Sequence, residues 1–195
     1  DGGTTWNREH TWPNSKGLNG NDENDIMMLR PTAVSENSSR GNTAYGESGG
    51  YYDPGESVRG DCARICLYVY VRWGNTSNMW GKSGVMENLS VLLKWMEEDP
   101  VDTWEMGRND VVESITGTRN VFVDYPEYAW LLFGKDIPDD VTTPSGIAKN
   151  ENPDNGSSSE SSSSESSSSE SSSSESSSSE SSSSESSSSE SSSSE

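Results

Sequence analysis

Apolar positions recur with helical spacing through the middle of the chain and nowhere else as clearly. From Ser57 to Trp73, residues Val58, Cys62, Ile65, Cys66 and Val69 form one stripe, and Gly74 ends it. Val85 to Glu98 repeats the pattern with Met86, Leu89, Leu92, Leu93 and Met96. Asp99-Pro100 then predicts an N-cap followed by a first-turn proline, opening a helix with Val101, Trp104, Val111 and Ile115 that stops at Gly117. A last short helix after Asp124 presents Tyr128, Leu131 and Leu132 and stops at Gly134.

Ahead of these helices the pattern differs. Residues 4–12 are rich in strand formers and halt at Pro13, which predicts a strand entering a loop. Residues 23–29, with Met27, Met28 and Leu29 before Pro31, predict a short helix, and residues 35–55 predict a long loop of Ser, Asn, Gly and Tyr. The fold class expected is therefore α+β, a mainly helical domain with a small strand element at the front. Periodicity fades after Phe133, so the domain is placed at residues 1–134, with a linker over 135–156.

Residues 157–195 are serine interrupted by glutamate at every fifth position. Such a segment has no apolar side chains to offset the entropy of ordering its backbone, so it reads as a disordered, solvated tail or as an attachment segment for glycans or phosphate. The formal net charge is −20, and leaving out the eight tail glutamates still leaves −12. An acidic surface repels a phosphate backbone, so a nucleic-acid partner requires local basic residues and a bound cation. Two cysteines and one histidine cannot supply a closed four-ligand zinc site, and Cys62 and Cys66, four apart, read as small core residues. No apolar run reaches the ~18–20 residues of a membrane span.

The only histidine, His10, stands in Asn7-Arg8-Glu9-His10-Thr11-Trp12-Pro13. A carboxylate beside an imidazole suits metal-assisted hydrolysis: Glu9 holds a hard cation and His10 takes a proton from water. Adjacent strand residues point to opposite faces, so the pair shares a site only where the strand end twists. A histidine in a surface loop is the plain alternative.

The motif resembles the signature of the bacterial endonuclease I family, within the ββα-metal or His-Me finger nucleases. Further matches follow in order: Leu29-Arg30-Pro31, Asn37-Ser-Ser-Arg40-Gly-Asn42 with Tyr45-Gly46, and Gly60-Asp61-Cys-Ala63-Arg64 with Tyr68 and Arg72. Asp99-Pro100, Trp104-Glu105, Arg108-Asn109-Asp110, Arg119-Asn120 and Pro126-Glu127-Tyr128-Ala129 resemble the closing block. The resemblance implies a secreted endonuclease, acting as a monomer on DNA and possibly RNA with little sequence preference. The implied cofactor is magnesium or another divalent cation such as manganese or calcium. It further implies residues upstream of Asp1, an amino-terminally incomplete copy.

Carried over by position, His10 is the general base, Arg40 a further catalytic residue or loop anchor, and Glu9 a metal ligand. Arg8, Arg30 and Asn42 are assigned to nucleic acid. Met28 falls at the second ligand position, where a thioether is a poor donor for magnesium. That substitution carries the alternative function, a catalytically impaired nucleic-acid-binding or surface domain. Arg64, Arg72, Arg108 and Arg119 are expected to pair with local carboxylates.

Overall fold

A computed structural model describes residues 5–141. The chain divides into two units, residues 1–155 and 156–195. The Ser/Glu tail and residues 142–156 of the expected linker lie outside the described residues.

The architecture is α+β and mainly helical, as the pattern predicts. Strand β1 (Trp6–His10) pairs antiparallel with β2 (Leu29–Ala33), in the register Asn7 to Thr32 and Glu9 to Arg30. A two-stranded ribbon is marginal by itself. Here it is packed against helix α1 (Val34–Arg40). Pro31 is admissible in β2 because each strand of such a ribbon is an edge.

Two expectations fail at this end. Residues 23–29 form a single 3-10 turn at Asp22–Asn24 and then enter β2, rather than a helix. Asp25 explains why. Its carboxylate accepts from the Met27 amide (2.9 Å), the Tyr68 hydroxyl (2.7 Å) and Trp73 Nε1 (3.0 Å), which fixes a turn against the helical core. The apolar run from Ile26 to Leu29 is too short for periodicity to separate helix from turn and strand. The expected loop over 35–55 begins with α1, whose one buried side chain is Arg40 at its last turn. A helix held by a single buried cation leaves no apolar stripe to read.

Helix α2 (Arg59–Arg72) is the centre of the domain, buried on every side from Gly60 to Val69. It packs on α3 (Leu89–Glu98) and α5 (Val121–Asp124). The approach at its start is close: a Cβ on Gly60 would lie 1.9 Å from the Asp99 carbonyl oxygen, so only glycine fits. Helix α3 starts later than predicted, at the Asn88 cap, whose side chain accepts from the Val91 amide. Helix α4 (Thr103–Thr116) is capped by Asp102 rather than Asp99 and ends at Gly117 with φ 71°. Asp99 instead accepts from the Gly60 amide at 2.9 Å, outside any helix. Helices α5 and α6 (Tyr128–Leu132) close the domain. Ile137 and Val141 are buried in the same apolar cluster, so packing continues past Gly134. Cys62 and Cys66 are free thiols in the core, and burial pushes the Cys62 thiol up to about 11.

Within this core sits a fully buried cation. Arg64 donates through Nε and Nη2 to the two Glu105 oxygens (3.0 and 2.5 Å), and to the Asp99 carbonyl oxygen (2.8 Å). Removing one member of a buried pair leaves the other charge uncompensated, at a cost of about 3–5 kcal/mol. Arg64→Met is therefore expected to lower unfolding free energy by about that amount in urea titrations, with Arg64→Met/Glu105→Leu recovering part of the loss. An unchanged denaturation midpoint in the single variant would remove the pair from the stability account.

Candidate active site

The end of β1 is fixed from within by Arg40. Its Nη1 donates to the Glu9 carboxylate and to the His10 carbonyl oxygen (2.8 Å). Nη2 reaches the Thr11 carbonyl oxygen at 2.9 Å, and Nε the Thr43 carbonyl oxygen at 3.3 Å. Four of the five guanidinium N–H groups are thus directed at protein acceptors. The plane lies over the Tyr45 ring, 4.1 Å from its centroid. Of the two roles expected for Arg40, its geometry is that of a loop anchor. Burial pushes the Glu9 carboxyl upward, while the Arg40 charge and hydrogen bond pull against that shift, leaving it above the ordinary carboxylate range.

Asn7 and Glu9 share one face of β1, and Asn37 comes toward that face from α1. Asn37 Nδ2 donates to Asn7 Oδ1 at 2.8 Å and lies 3.4 Å from the Arg8 carbonyl oxygen, so its amide oxygen is engaged in neither bond. Glu9, Asn37 and Arg40 all line a cavity of about 350 Å³. His10 does not. Its ring lies over the other face, with Nε2 2.9 Å from the Glu23 carbonyl oxygen. A carbonyl only accepts, so Nε2 carries the proton, and in the neutral ring Nδ1 keeps its lone pair.

The remaining expected residues are scattered. Arg30 pairs with Asp61 at 2.5 Å, stacks on Trp104 with its guanidinium carbon 4.6 Å from the ring centroid, and borders the cavity. Arg8 is exposed on β1 and Asn42 is exposed just beyond α1. Met28 is fully buried in the apolar cluster and is not among the residues lining the cavity that Glu9 faces. The sequence motif assigns Asn37 no role. The signal that could have found it is its position three residues before Arg40, on the same helical face.

Most other arginines are engaged by groups of their own chain. Arg64 and Arg119 pair with carboxylates, as expected, and Arg119 binds Asp110, Glu113 and Asp124 together. Arg108 instead donates to the carbonyl oxygens of Ile26 and Leu29, and Arg72 lies over Trp73. Arg59 binds Asp53 and Glu98.

No cluster of three or more His, Cys, Asp or Glu side chains suited to a metal exists among the described residues. Glu9 and Asn37, whose side chains carry hard oxygen donors, nevertheless line one cavity. A carboxylate has about four lone-pair sites, so the Arg40 contact does not exhaust it. Magnesium commonly keeps several waters and takes only one or two carboxylates from protein, a demand this pair of donors fits.

Comparison with known proteins places part of the chain beside a nuclease family. The Endonuclease I family pattern matches residues 48–127, which cover helices α2 to α5. The chain is 38% identical over 151 residues to proteins named extracellular ribonuclease from Bacillus amyloliquefaciens and from Bacillus subtilis strain 168. Each alignment takes in 64% of this chain and 52% of the relative, so the chain spans about half the length of those curated relatives. The relationship to the endonuclease I family read from the motifs is thereby borne out. Glu9, His10, Asn37 and Arg40 precede the matched stretch.

Because Met28 is buried, Met28→Asn is expected to destabilise the domain by about 1–3 kcal/mol through an unsatisfied amide, without a gain in cleavage. Thermal denaturation and a nicking assay together check this. A rise in metal-dependent cleavage would restore position 28 to the ligand set.

Proposed function

We propose that the chain is a divalent-metal-dependent endonuclease that hydrolyses phosphodiester bonds, secreted and acting as a monomer. The observation that carries this reading is the end of β1, where a buried carboxylate and an imidazole are consecutive and each is fixed by its own tertiary contact. Arg40 fixes Glu9, and the Glu23 carbonyl fixes His10. Relationship to the endonuclease I family and to proteins named extracellular ribonuclease supports it.

In this reading Glu9 and Asn37 hold the cation, which when bound neutralises phosphate charge and polarises the scissile bond. Magnesium is the expected ion, with manganese or calcium as substitutes. His10 lies at the strand terminus, so a phosphodiester seated across that end meets both faces of β1. Its Nδ1 accepts the proton of the attacking water, while the Nε2 hydrogen bond holds ring orientation and tautomer. Arg40 acts through Glu9 and the strand backbone as a positioning residue. Arg8 and Asn42, both exposed, are available to substrate phosphates. The ligand role goes to Asn37 rather than Met28, which removes one of the two features behind an impaired binding domain and leaves the acidic charge balance. The substrate is DNA or RNA.

A general base contributes roughly 10²–10⁴-fold to rate. His10→Ala is expected to lose activity on that scale in a plasmid-nicking assay with magnesium, and Asn37→Ala to require a much higher metal concentration. Chelation abolishes cleavage in the wild-type chain. Equal rates for wild type and His10→Ala would remove His10 from the mechanism.

A further inference from the structure

The hydrogen bond that orients His10 has its partner on a turn, and that turn is not part of the strand pair. The Glu23 carbonyl oxygen belongs to the 3-10 turn Asp22–Asn24, within the connection between β1 and β2. Contacts inside the connection give the turn its shape. Asp22 Oδ1 accepts from the Glu23 amide at 2.9 Å and from the Asn19 amide at 2.6 Å, and the Asp25 amide donates to the Asp22 carbonyl oxygen at 3.2 Å. These bonds join residues a few positions apart. They do not set where the carbonyl stands relative to the imidazole.

The tie to the body of the domain is made two residues on, at Asp25. Its Oδ2 receives both the Tyr68 hydroxyl and Trp73 Nε1, and its Oδ1 receives the Met27 amide. Tyr68 lies in α2 and Trp73 directly follows it, so the turn is fastened to the most deeply buried helix. All three donors are neutral groups. Burial and the Asp25 hydrogen bond push Tyr68 up to about 12, so its hydroxyl stays protonated and donating. A carboxylate suits this place because both of its oxygens only accept, whereas an amide of the same shape sets an N–H group against one of the donors. Further along, Arg108 donates to the Ile26 and Leu29 carbonyl oxygens (2.6 and 2.9 Å), and the Thr11 amide to that of Met28 (3.2 Å). Those contacts close the connection onto β1. Among the described residues, Asp25 makes the tertiary polar contact nearest in sequence to Glu23.

We infer that Asp25 is a positioning residue for the His10 imidazole: by fastening the turn to α2 it sets the Glu23 carbonyl where it receives the Nε2 proton, and so keeps Nδ1 as the free acceptor. A ring whose carbonyl partner moves away takes the other tautomer as well, which places the proton on Nδ1 and removes the lone pair used as a base. The catalytic consequence rests on the reading of His10 as general base; the anchoring does not.

The chain has a single histidine, so the imidazole ¹⁵N signals of the full chain belong to His10 alone. Long-range ¹H–¹⁵N correlation spectra in alkaline buffer, where the ring is neutral, report which nitrogen carries the proton. The wild-type chain is expected to show the Nε2-protonated form, and Asp25→Asn and Asp25→Ala a mixture of the two. In plasmid nicking with magnesium, kcat of both variants is expected to fall roughly ten- to a hundredfold with little change in KM. Tyr68→Phe removes one bond at nearly constant shape and is expected to shift the tautomers less, in the same direction. It carries the test should circular dichroism show that the Asp25 variants do not fold. Arg64→Met, destabilised elsewhere in the core, is expected to keep the wild-type form, which separates positioning from loss of stability. A wild-type spectrum in folded Asp25→Ala, or in Tyr68→Phe where the Asp25 variants are unfolded, overturns the inference, as does a mixture in Arg64→Met. A tautomer change in Asp25→Asn, alongside equal cleavage by wild type and His10→Ala, keeps the anchoring and removes the reading of His10 as base.

Discussion

The guanidinium of Arg40 is the constraint on which the front of this molecule depends. It lies inside the protein, over the Tyr45 ring, and binds the Glu9 carboxylate and the carbonyl oxygens of His10, Thr11 and Thr43. Those acceptors come from a strand end and from the turn after α1, which lead directly into the buried residues Trp12 and Tyr45. A desolvated cation with its donors matched to carbonyls adds direction to that apolar packing. It also sets where the carboxylate sits relative to α1, and therefore where Asn37 faces it.

The rest of the domain is held in a more ordinary way, with a variation at its centre. Helix α2 is surrounded by other elements, yet it carries Asp61 and Arg64 among its buried residues. Arg64 links α2 to α4 through Glu105 and to the turn before α4 through the Asp99 carbonyl. The Gly60 approach to the same carbonyl shows how tightly that turn is seated. Asn109 and Asn120 complete the frame: the side-chain nitrogen of one donates to the other's carbonyl oxygen at 3.1 Å, and the returning amide bond is 2.8 Å. Directional polar contacts thus fix the angles between helices that apolar packing alone would leave adjustable.

How much of this could be read beforehand follows from the same division. Helix α3 has an apolar stripe and α2 an apolar run buried all round, and both were legible because burial imposes apolar residues on sequence. Their starts were less so: the choice of Asp102 over Asp99 as a cap depends on Asp99 being taken by Gly60, a contact from a distant segment. Helix α1 and the turn at Asp25 were illegible, since one buried arginine and one shared carboxylate leave no period. At the candidate site the Glu9-His10 pair stood out as a motif, but sequence could not say that the two side chains take opposite faces of β1. The apolar character of Met28 was visible, and its burial follows from that character. Asn37 was hidden because a polar residue among serines and asparagines has no distinguishing pattern until its neighbour Arg40 is known to be buried.

The pairing of the arginines with carboxylates of their own chain has an effect beyond packing. Nucleic-acid binders that neutralise many phosphates with surface cations release condensed counterions, and their affinity falls steeply with ionic strength. In this domain Arg30, Arg40, Arg59, Arg64 and Arg119 already face carboxylates of their own chain. A polyanion arriving at such a surface displaces few small ions. For the nucleic acid proposed as substrate, the expected dependence on added monovalent salt is therefore shallow, governed more by contacts in one cleft than by the surrounding field.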